Sequence, residues 1–419
     1  MKKNVLVIGA GIAGMETSLM LAKAGRKVYL VEKSPIIGGN IIKCEDVFPN
    51  LECATCMVSP IQQEVLKNEN IDLLMLSRVT AVRGEAGDFT VTVEKKARYV
   101  DLVDCIGCGE CFEPCPVVLK NEFEQGLMDR KAIYLPCAGS LPNVPAIDTD
   151  NCLRFKGEDC QACKEACVFE AINFDEEDET REVKVSAIVV ATGFTIFPVA
   201  EGGKYGYGSY ADTYTSWEFE RLFASNGPTG GEIRKKNGEP PKSVAVIHCV
   251  GREEKGYCST ICCMSSLKFV HYLKKKIENI SVTEFYKDMC SPGKRYDKFY
   301  REIESTGVDF KRFDTIEVTS DNGSAAVKYR QNGKEATVSA DMVILSLGLE
   351  PQRDSKELAE VLGVPCDTNG FFKEENDEYA VVDSTKKGIF VVGCAQAPKD
   401  VQTSIAQAQS AAGKILSLL

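Results

Sequence analysis

Cysteine is the residue whose spacing carries chemistry in this chain. Of 19 cysteines, 15 fall in four tight groups. Cys105, Cys108, Cys111 and Cys115 follow C-x2-C-x2-C-x3-C, with a proline next. Thiolates at that spacing on a turning backbone reach the corners of one cubane, and the fourth cysteine of such a run ligates the other cluster where two are present. A partner set stands at Cys152, Cys160, Cys163 and Cys167, with an irregular first gap of seven residues. The expected crossed pairing puts Cys105, Cys108, Cys111 and Cys167 on one [4Fe–4S] cluster and Cys115, Cys152, Cys160 and Cys163 on the other. Zinc also favours C-x2-C pairs, but eight cysteines with a proline after the fourth point to iron–sulfur. Cys137 fits neither set.

A third group reads Cys249-(x8)-Cys258-Ser-Thr-Ile-Cys262-Cys263, directly after an apolar strand pattern and before a helical one. A second nucleotide-binding loop would stand at that place in a two-domain flavoprotein reductase. Four thiolates stand there instead, so a metal cluster is expected in place of NAD(P)H. The structural alternative is four buried thiols, since free cysteine is often buried. A fourth group, Cys44, Cys53 and Cys56, contains a C-x2-C that suits either a redox dithiol or part of a metal site. Three thiols do not close a four-ligand site, and no role is assigned. Cys290 and Cys366 are isolated and read as structural.

The other chemistry-bearing motif lies at the start. Gly9, Gly11 and Gly14 form G-x-G-x-x-G between the apolar run Val5 to Ile8 and a helical pattern. The first glycine permits the tight turn, the second lets the backbone approach a pyrophosphate, and the third allows close helix packing. Glu32 ends the next strand, where an acid accepts ribose hydroxyls. Three further pieces favour FAD over NAD. Gly38, Gly39 and Asn40 follow Glu32 closely. Ala187 to Gly193 is an apolar strand ending in Ala191-Thr192-Gly193. Gly388 to Ala395 is a strand running into Gly393-Cys394-Ala395, followed by a helical pattern from Val401. In flavoproteins of this pattern the last loop carries an acid toward the ribityl chain; here Cys394 stands in its place. These strands also read simply as buried members of an α/β sheet, and ligands bind at the C-terminal ends of such strands.

The elements that position these groups define the expected architecture. It is an α/β, two-domain, FAD-dependent reductase-like fold of Rossmann type, with an inserted two-cluster ferredoxin-like α+β module. The expected divisions are 1–101 for the first part of the FAD-binding domain and 102–176 for the insert. The second part of the FAD-binding domain is 177–241, a degenerate second nucleotide-binding domain with its cysteine cluster is 242–349, and the third FAD part is 350–419. Strand patterns flank the insert, and an insertion with adjacent ends costs little loop entropy. The acidic run Asp175 to Glu182 reads as a solvated connection.

Bulk properties narrow the function. A net charge of −11 and a pI near 5.1 argue against nucleic acid or an anionic membrane as direct partners. No apolar run approaches the ~20 residues of a spanning helix. The motif at the N-terminus occupies the place of a signal peptide, so a cytoplasmic protein is expected. With two histidines, His248 and His271, histidine-based mechanisms are poorly supplied.

Taken together, the motifs resemble the A subunit of heterodisulfide reductases. The resemblance covers essentially the whole chain and includes Glu52-Cys-Ala-Thr-Cys-Met-Val-Ser-Pro60, Tyr257 to Lys268, and Gly393 to Lys399. It implies FAD and three [4Fe–4S] clusters. Ending at Leu419 without the C-terminal ferredoxin domain of larger relatives, the chain is similar to the A subunit of the quinone-interacting membrane-bound oxidoreductases of sulfate reducers. That likeness implies two partners, a larger related flavoprotein and a membrane quinone-reactive protein, and attachment through them to the inner face of the membrane. It also implies electron passage between menaquinol and adenylylsulfate reductase. It places Lys268 near the flavin N5, where a cation stabilises reduced flavin; the plain alternative is a solvated helix lysine. The competing function is a self-contained NAD(P)H-dependent iron–sulfur flavoprotein reductase, which the missing second glycine fingerprint disfavours.

Overall fold

The computed structural model describes residues 3–321 and 323–419. Two compact units form. The first contains Met1–Ile42, Cys56–Phe194 and Pro351–Leu419; the second contains Lys43–Thr55 and Thr195–Glu350.

In the first unit a seven-stranded sheet is built on the fully buried strand Val5–Ile8. This strand pairs in parallel with Val28–Val31 on one side and Ala187–Val190 on the other. Continuous apolar runs are what a strand covered on both faces requires. Helix Ile12–Lys23 packs on Val401–Leu418, and both helices bury small residues, Ala13, Gly14, Thr17 and Ser18 on the first and Ala408, Ala411 and Ala412 on the second. Small side chains let the two backbones approach closely. The other face of the sheet carries an antiparallel layer of Ser77–Glu85, Asp88–Lys95 and Glu179–Val185, whose Phe89, Val91 and Val183 enter the same core as Leu6 and Val190.

The cysteine-rich insert leaves and re-enters through that antiparallel layer. Lys95 lies opposite Glu179, so its ends are neighbours, as the loop-entropy argument requires. Its regular structure is sparse: the hairpin pairs Leu119–Lys120 with Asp129–Arg130 and Ile133–Tyr134 with Ala146–Ile147, plus a short helix Ala162–Glu165. Its core is its own and is partly made of thiols: Cys111, Cys115, Cys152 and Cys163 pack with Val100, Ile133, Ile172 and Phe174.

The second unit repeats the plan. Its parallel sheet runs Thr213–Thr215, Met342–Leu347, Ser243–Val250, Ser281–Tyr286, Asp309–Arg312. An antiparallel layer of Thr315–Asp321, Ser324–Gln331 and Lys334–Ala340 covers one face. Two segments expected in the FAD-binding domain belong here. Residues 195–241 join because Thr213–Thr215 pairs with Val343–Leu345 and helix Ser216–Phe223 packs on that sheet behind a Thr215/Glu218 capping box. Residues 43–55 join through hydrogen bonds from Arg221 to the Lys43 carbonyl and from the Glu45 amide to Glu220.

Candidate functional site

The first site is the glycine turn after Val5–Ile8. A Cβ at Gly14 would lie 1.8 Å from the Gly9 carbonyl oxygen, so only glycine lets the helix start this close to the turn. A Cβ added at Gly11 would find its nearest neighbour, Gly39 Cα, 3.9 Å away, so that face stays open to a phosphate. The Gly38 amide donates to the Ala10 carbonyl at 2.8 Å and Gly11 bridges to Gly38, which joins the two glycine segments. Glu32 accepts from the Ala10 and Ser34 amides at 2.7 and 2.8 Å. Burial nevertheless raises its pKa. Asn40 donates to the Phe194 carbonyl at 2.9 Å, closing the loop beside Thr192 and Gly193. The Thr192 hydroxyl is enclosed without a hydrogen-bond partner, an unmet demand that a bound ligand answers. The donor set and the open glycine face fit a dinucleotide. Gly393 donates its amide to Gln407 at 2.8 Å, and Ala395 is buried. Cys394 directs its thiol to the Lys399 carbonyl at 3.2 Å, and burial pushes its pKa up to about 11. It therefore offers no carboxylate-like charge at this loop.

The second site is in the insert. Cys115, Cys152, Cys160 and Cys163 line one cavity with about 340 Å³ of atom-free space. These are the four residues of one expected set. Burial raises the Cys163 pKa to about 11, with Cys152, Cys115 and Cys160 adding repulsion. In the other set, burial and then Cys167 and Cys108 raise Cys105, so the residue from the far end of the insert does lie beside the first run. Cys111 is pushed up to about 12 by burial, then by Cys163, with Cys105 and Cys108 contributing less; it stands between the two sets. Uncompensated thiols massed in a small core are unfavourable for the charged form, and metal ligation is what relieves that. A cavity ringed by four thiols fits a metal cluster.

The insert is pinned to the glycine-turn unit by residues that spacing did not single out. Arg98 is buried and donates to the Val144 and Pro145 carbonyls at 2.8 and 3.3 Å, and also to Pro35. The acidic run is more than a solvated connection. Glu176 accepts the Tyr99 amide at 2.6 Å, and Asp178 accepts the Ala97 amide at 3.0 Å and pairs with Lys96.

The third site follows Ser243–Val250. A bulge between Ile247 and Val250, with Cys249 at φ +63°, re-aims the Cys249 side chain. Cys249, Cys258 and Cys262 then line a small cavity with Arg252, Lys255, Tyr257 and Glu350. Helix Cys262–Lys276 begins at this wall, so its N-terminal dipole favours anionic contents, while Lys255 is paired with Glu350 and Arg252 with Asp288, each at 2.8 Å. Cys263 is turned elsewhere: its thiol reaches the Asp288 carbonyl at 3.6 Å and accepts the Cys290 amide at 3.5 Å. Cys262 and then His248 favour its thiolate and hold its pKa well below the usual thiol range, while Cys262 itself moves up. His248 faces Glu284 at 3.2 Å, both fully enclosed. Cys290 thus belongs to this neighbourhood and is not isolated.

Lys268, on the same helix, is 1% exposed, which rules out a solvated helix lysine. Its ammonium sits 2.7 and 2.8 Å from the two Glu220 oxygens and 3.0 Å from the Asp46 carbonyl. Tyr272 bonds Asp46. Cys44 lies in the same pocket, its pKa pushed up to about 12 by burial and then by Glu220. Glu220 was not legible as a partner, because the pair joins residues 48 apart.

Cys53 and Cys56 form a disulfide at the start of helix Ala54–Lys67, while the other described cysteines are free. Cys56 is exposed, and exposed disulfides are the exchangeable ones. Peptide mapping of unreduced protein should recover the two as one bridged pair that a dithiol opens. Recovery of alkylated Cys56 without reduction would contradict the bridge.

Comparisons with known proteins agree with this arrangement. The family "pyridine nucleotide-disulphide oxidoreductase" matches residues 1–110 and 143–412, leaving out the middle of the insert. The iron–sulfur A subunit of the CoB–CoM heterodisulfide reductase of Methanocaldococcus jannaschii is 40% identical over 99% of this chain. The A subunit of the H(2):CoB-CoM heterodisulfide,ferredoxin reductase of Methanothermobacter thermautotrophicus is 38% identical over 98%. The chain spans 64% and 63% of the lengths of these two relatives. Among solved structures, thioredoxin reductase of T. acidophilum superposes with a TM-score of 0.54 at 13% identity, covering 100% of this chain and 99% of that one, which speaks to the fold. With its glycine turn, a parallel sheet in each unit and the family match over residues 1–110 and 143–412, the chain belongs to the pyridine nucleotide-disulphide oxidoreductase family.

Proposed function

We propose that this chain is the FAD- and iron–sulfur-carrying electron-transfer subunit of a heterodisulfide-reductase-like complex. The observation that carries the reading is the convergence of Cys115, Cys152, Cys160 and Cys163, drawn from both ends of the insert, on one cavity. FAD would be held by the turn Gly9, Gly11 and Gly14, by Glu32, by Gly38, Gly39 and Asn40, and by Thr192, Gly193 and the loop Gly393 to Ala395. When bound it supplies interconversion between one- and two-electron transfer. Three [4Fe–4S] clusters are proposed. Cys105, Cys108, Cys111 and Cys167 would hold the first, Cys115, Cys152, Cys160 and Cys163 the second, and Cys249, Cys258 and Cys262 the third, with Cys263 its fourth ligand once its thiol turns from the Asp288 carbonyl toward the cavity. The protein's own part is to exclude water, fix the thiolates and set the charge around them. Arg252 and Lys255 line the third site and Arg98 anchors the insert that carries the other two.

The more specific reading follows the sequence resemblance. The partners are a larger related flavoprotein and a membrane quinone-reactive protein. Electrons pass between menaquinol and adenylylsulfate reductase in the cytoplasm at the membrane's inner face. Among the described residues no helix is long and apolar enough to cross a membrane, which supports attachment through a partner. At the second unit's would-be phosphate loop the chain presents cysteines, and this supports an internal wire over direct NAD(P)H use.

The test is iron and flavin per chain after anaerobic purification. About twelve irons and one FAD are expected. Cys115→Ser should remove about four irons and the same spectroscopic signal as Cys163→Ser, leaving the signal of the Cys105 set. Zinc in place of iron would overturn the reading, and loss of the Cys105 signal in Cys115→Ser would overturn the crossed pairing.

A further inference from the structure

We infer that the insert presents an electron-transfer docking face, built around its first cysteine set, for a partner protein whose own one-electron centre lies behind an apolar patch ringed by lysine or arginine. The inference rests on the reading above that this set holds a cluster.

The insert, 102–176, makes up less than a fifth of the chain, yet it holds eight of the eleven large apolar side chains exposed among the described residues. Five of the eight flank cysteines of the first set in sequence: Leu102, Val103 and Ile106 around Cys105, and Val168 and Phe169 after Cys167. The backbone brings the two stretches together. The Asp101 amide donates to the Ala171 carbonyl at 2.8 Å, and Val100 bridges to Ile172. Val103 and Val168 are 89% and 81% exposed, values with no folding rationale for β-branched apolar residues in a protein that buries most of its valines. Cys108 itself is exposed, so this cluster would have one edge at the surface, whereas Cys115, Cys152 and Cys163 of the second set are buried. Contiguous exposed apolar surface rimmed by polar groups marks an interaction site. An electron crosses only a short gap, so an interface must lie over the exposed edge.

Charge selects the occupant. Residues 101–113 and 164–170 carry six carboxylates, Asp101, Asp104, Glu110, Glu113, Glu165 and Glu170, against one cation, Lys164. All six carboxylates are exposed. A second copy of this chain would bring the same acidic rim and be repelled, whereas a cationic rim is steered in. In the transfer no bond forms: the cluster loses one electron and the partner's centre gains it.

The experiment uses the full chain, purified anaerobically and reduced with dithionite, with ferric cytochrome c as a cationic macromolecular acceptor. Hexaammineruthenium(III) is the control, a cationic acceptor without an apolar face. In Val103→Ser/Val168→Ser the rate to cytochrome c should fall about tenfold, as for loss of central interface anchors, with the ruthenium rate unchanged. For the unaltered chain, raising salt from ~0.05 to ~0.5 M should also slow cytochrome c by about tenfold. Iron content unchanged with an unchanged cytochrome c rate in the double variant would overturn the docking face. A concentration-dependent dimer that the double variant abolishes would also overturn it, by making a second copy the occupant. Absence of iron in the unaltered chain would instead sink the cluster reading on which the inference rests.

Discussion

Gly14→Ala should yield a protein with almost no bound flavin and a markedly lower unfolding midpoint. The added Cβ would stand 1.8 Å from the Gly9 carbonyl oxygen and 3.4 Å from the Ala191 side chain. The nearest obstacle is backbone, which has no rotamer to yield. The helix must therefore back away from the turn, and it carries with it the amides that face a pyrophosphate. The same helix packs against Val401–Leu418, so the shift propagates into the core, where overpacking costs ~1–3 kcal/mol and sometimes more. Flavin absorbance per chain and a thermal melt check both parts. Full flavin occupancy in Gly14→Ala would show that the turn does not carry the dinucleotide.

Lys268→Met should be the most destabilising single change in the second unit, by about 3–5 kcal/mol. It removes the cation from a pair whose side chains are 2% and 3% exposed and leaves the Glu220 carboxylate buried. In the folded chain burial, which outweighs the neighbouring lysine, raises the Glu220 pKa. With the cation gone, the carboxyl should move up further. Because a raised carboxyl pKa favours the protonated form, the variant should lose stability as pH rises through the carboxylate range and regain part of it on acidification. The double variant Lys268→Met/Glu220→Gln should recover most of the loss, since neither partner is then left charged. Denaturant unfolding of the single and double variants measures this directly. A single variant within ~0.5 kcal/mol of the unaltered protein would show that the pair contributes little, and no recovery in the double variant would shift the cause from charge to packing.

Much of the fold was legible because its signals are local. The strand, glycine turn and helix at Val5 to Lys23 are each set by neighbours in sequence, and the repetition of the plan after residue 242 shows in a second apolar strand. The two cysteine runs of the insert were also legible as candidate ligands, since the chemistry of a cubane constrains spacing. The division into units was less so. Residues 195–241 contain no long apolar run, and it is the pairing of Thr213–Thr215 with Val343–Leu345 and the packing of helix Ser216–Phe223 on that sheet that assign them to the second unit.

Sequence by itself determined where thiols, glycines and acids stand along the chain, and hence which chemistry is available. Tertiary structure alone decided which of these meet. It set Lys268 against Glu220, turned Cys263 from the cavity wall toward Asp288, and brought Cys290 to its side. The reason is physical. A ligand run or a phosphate turn is specified by backbone geometry over a few residues, which the order of side chains records. A buried ion pair or a thiol's orientation depends on burial and on partners brought from distant segments, and that information exists only once the core has formed.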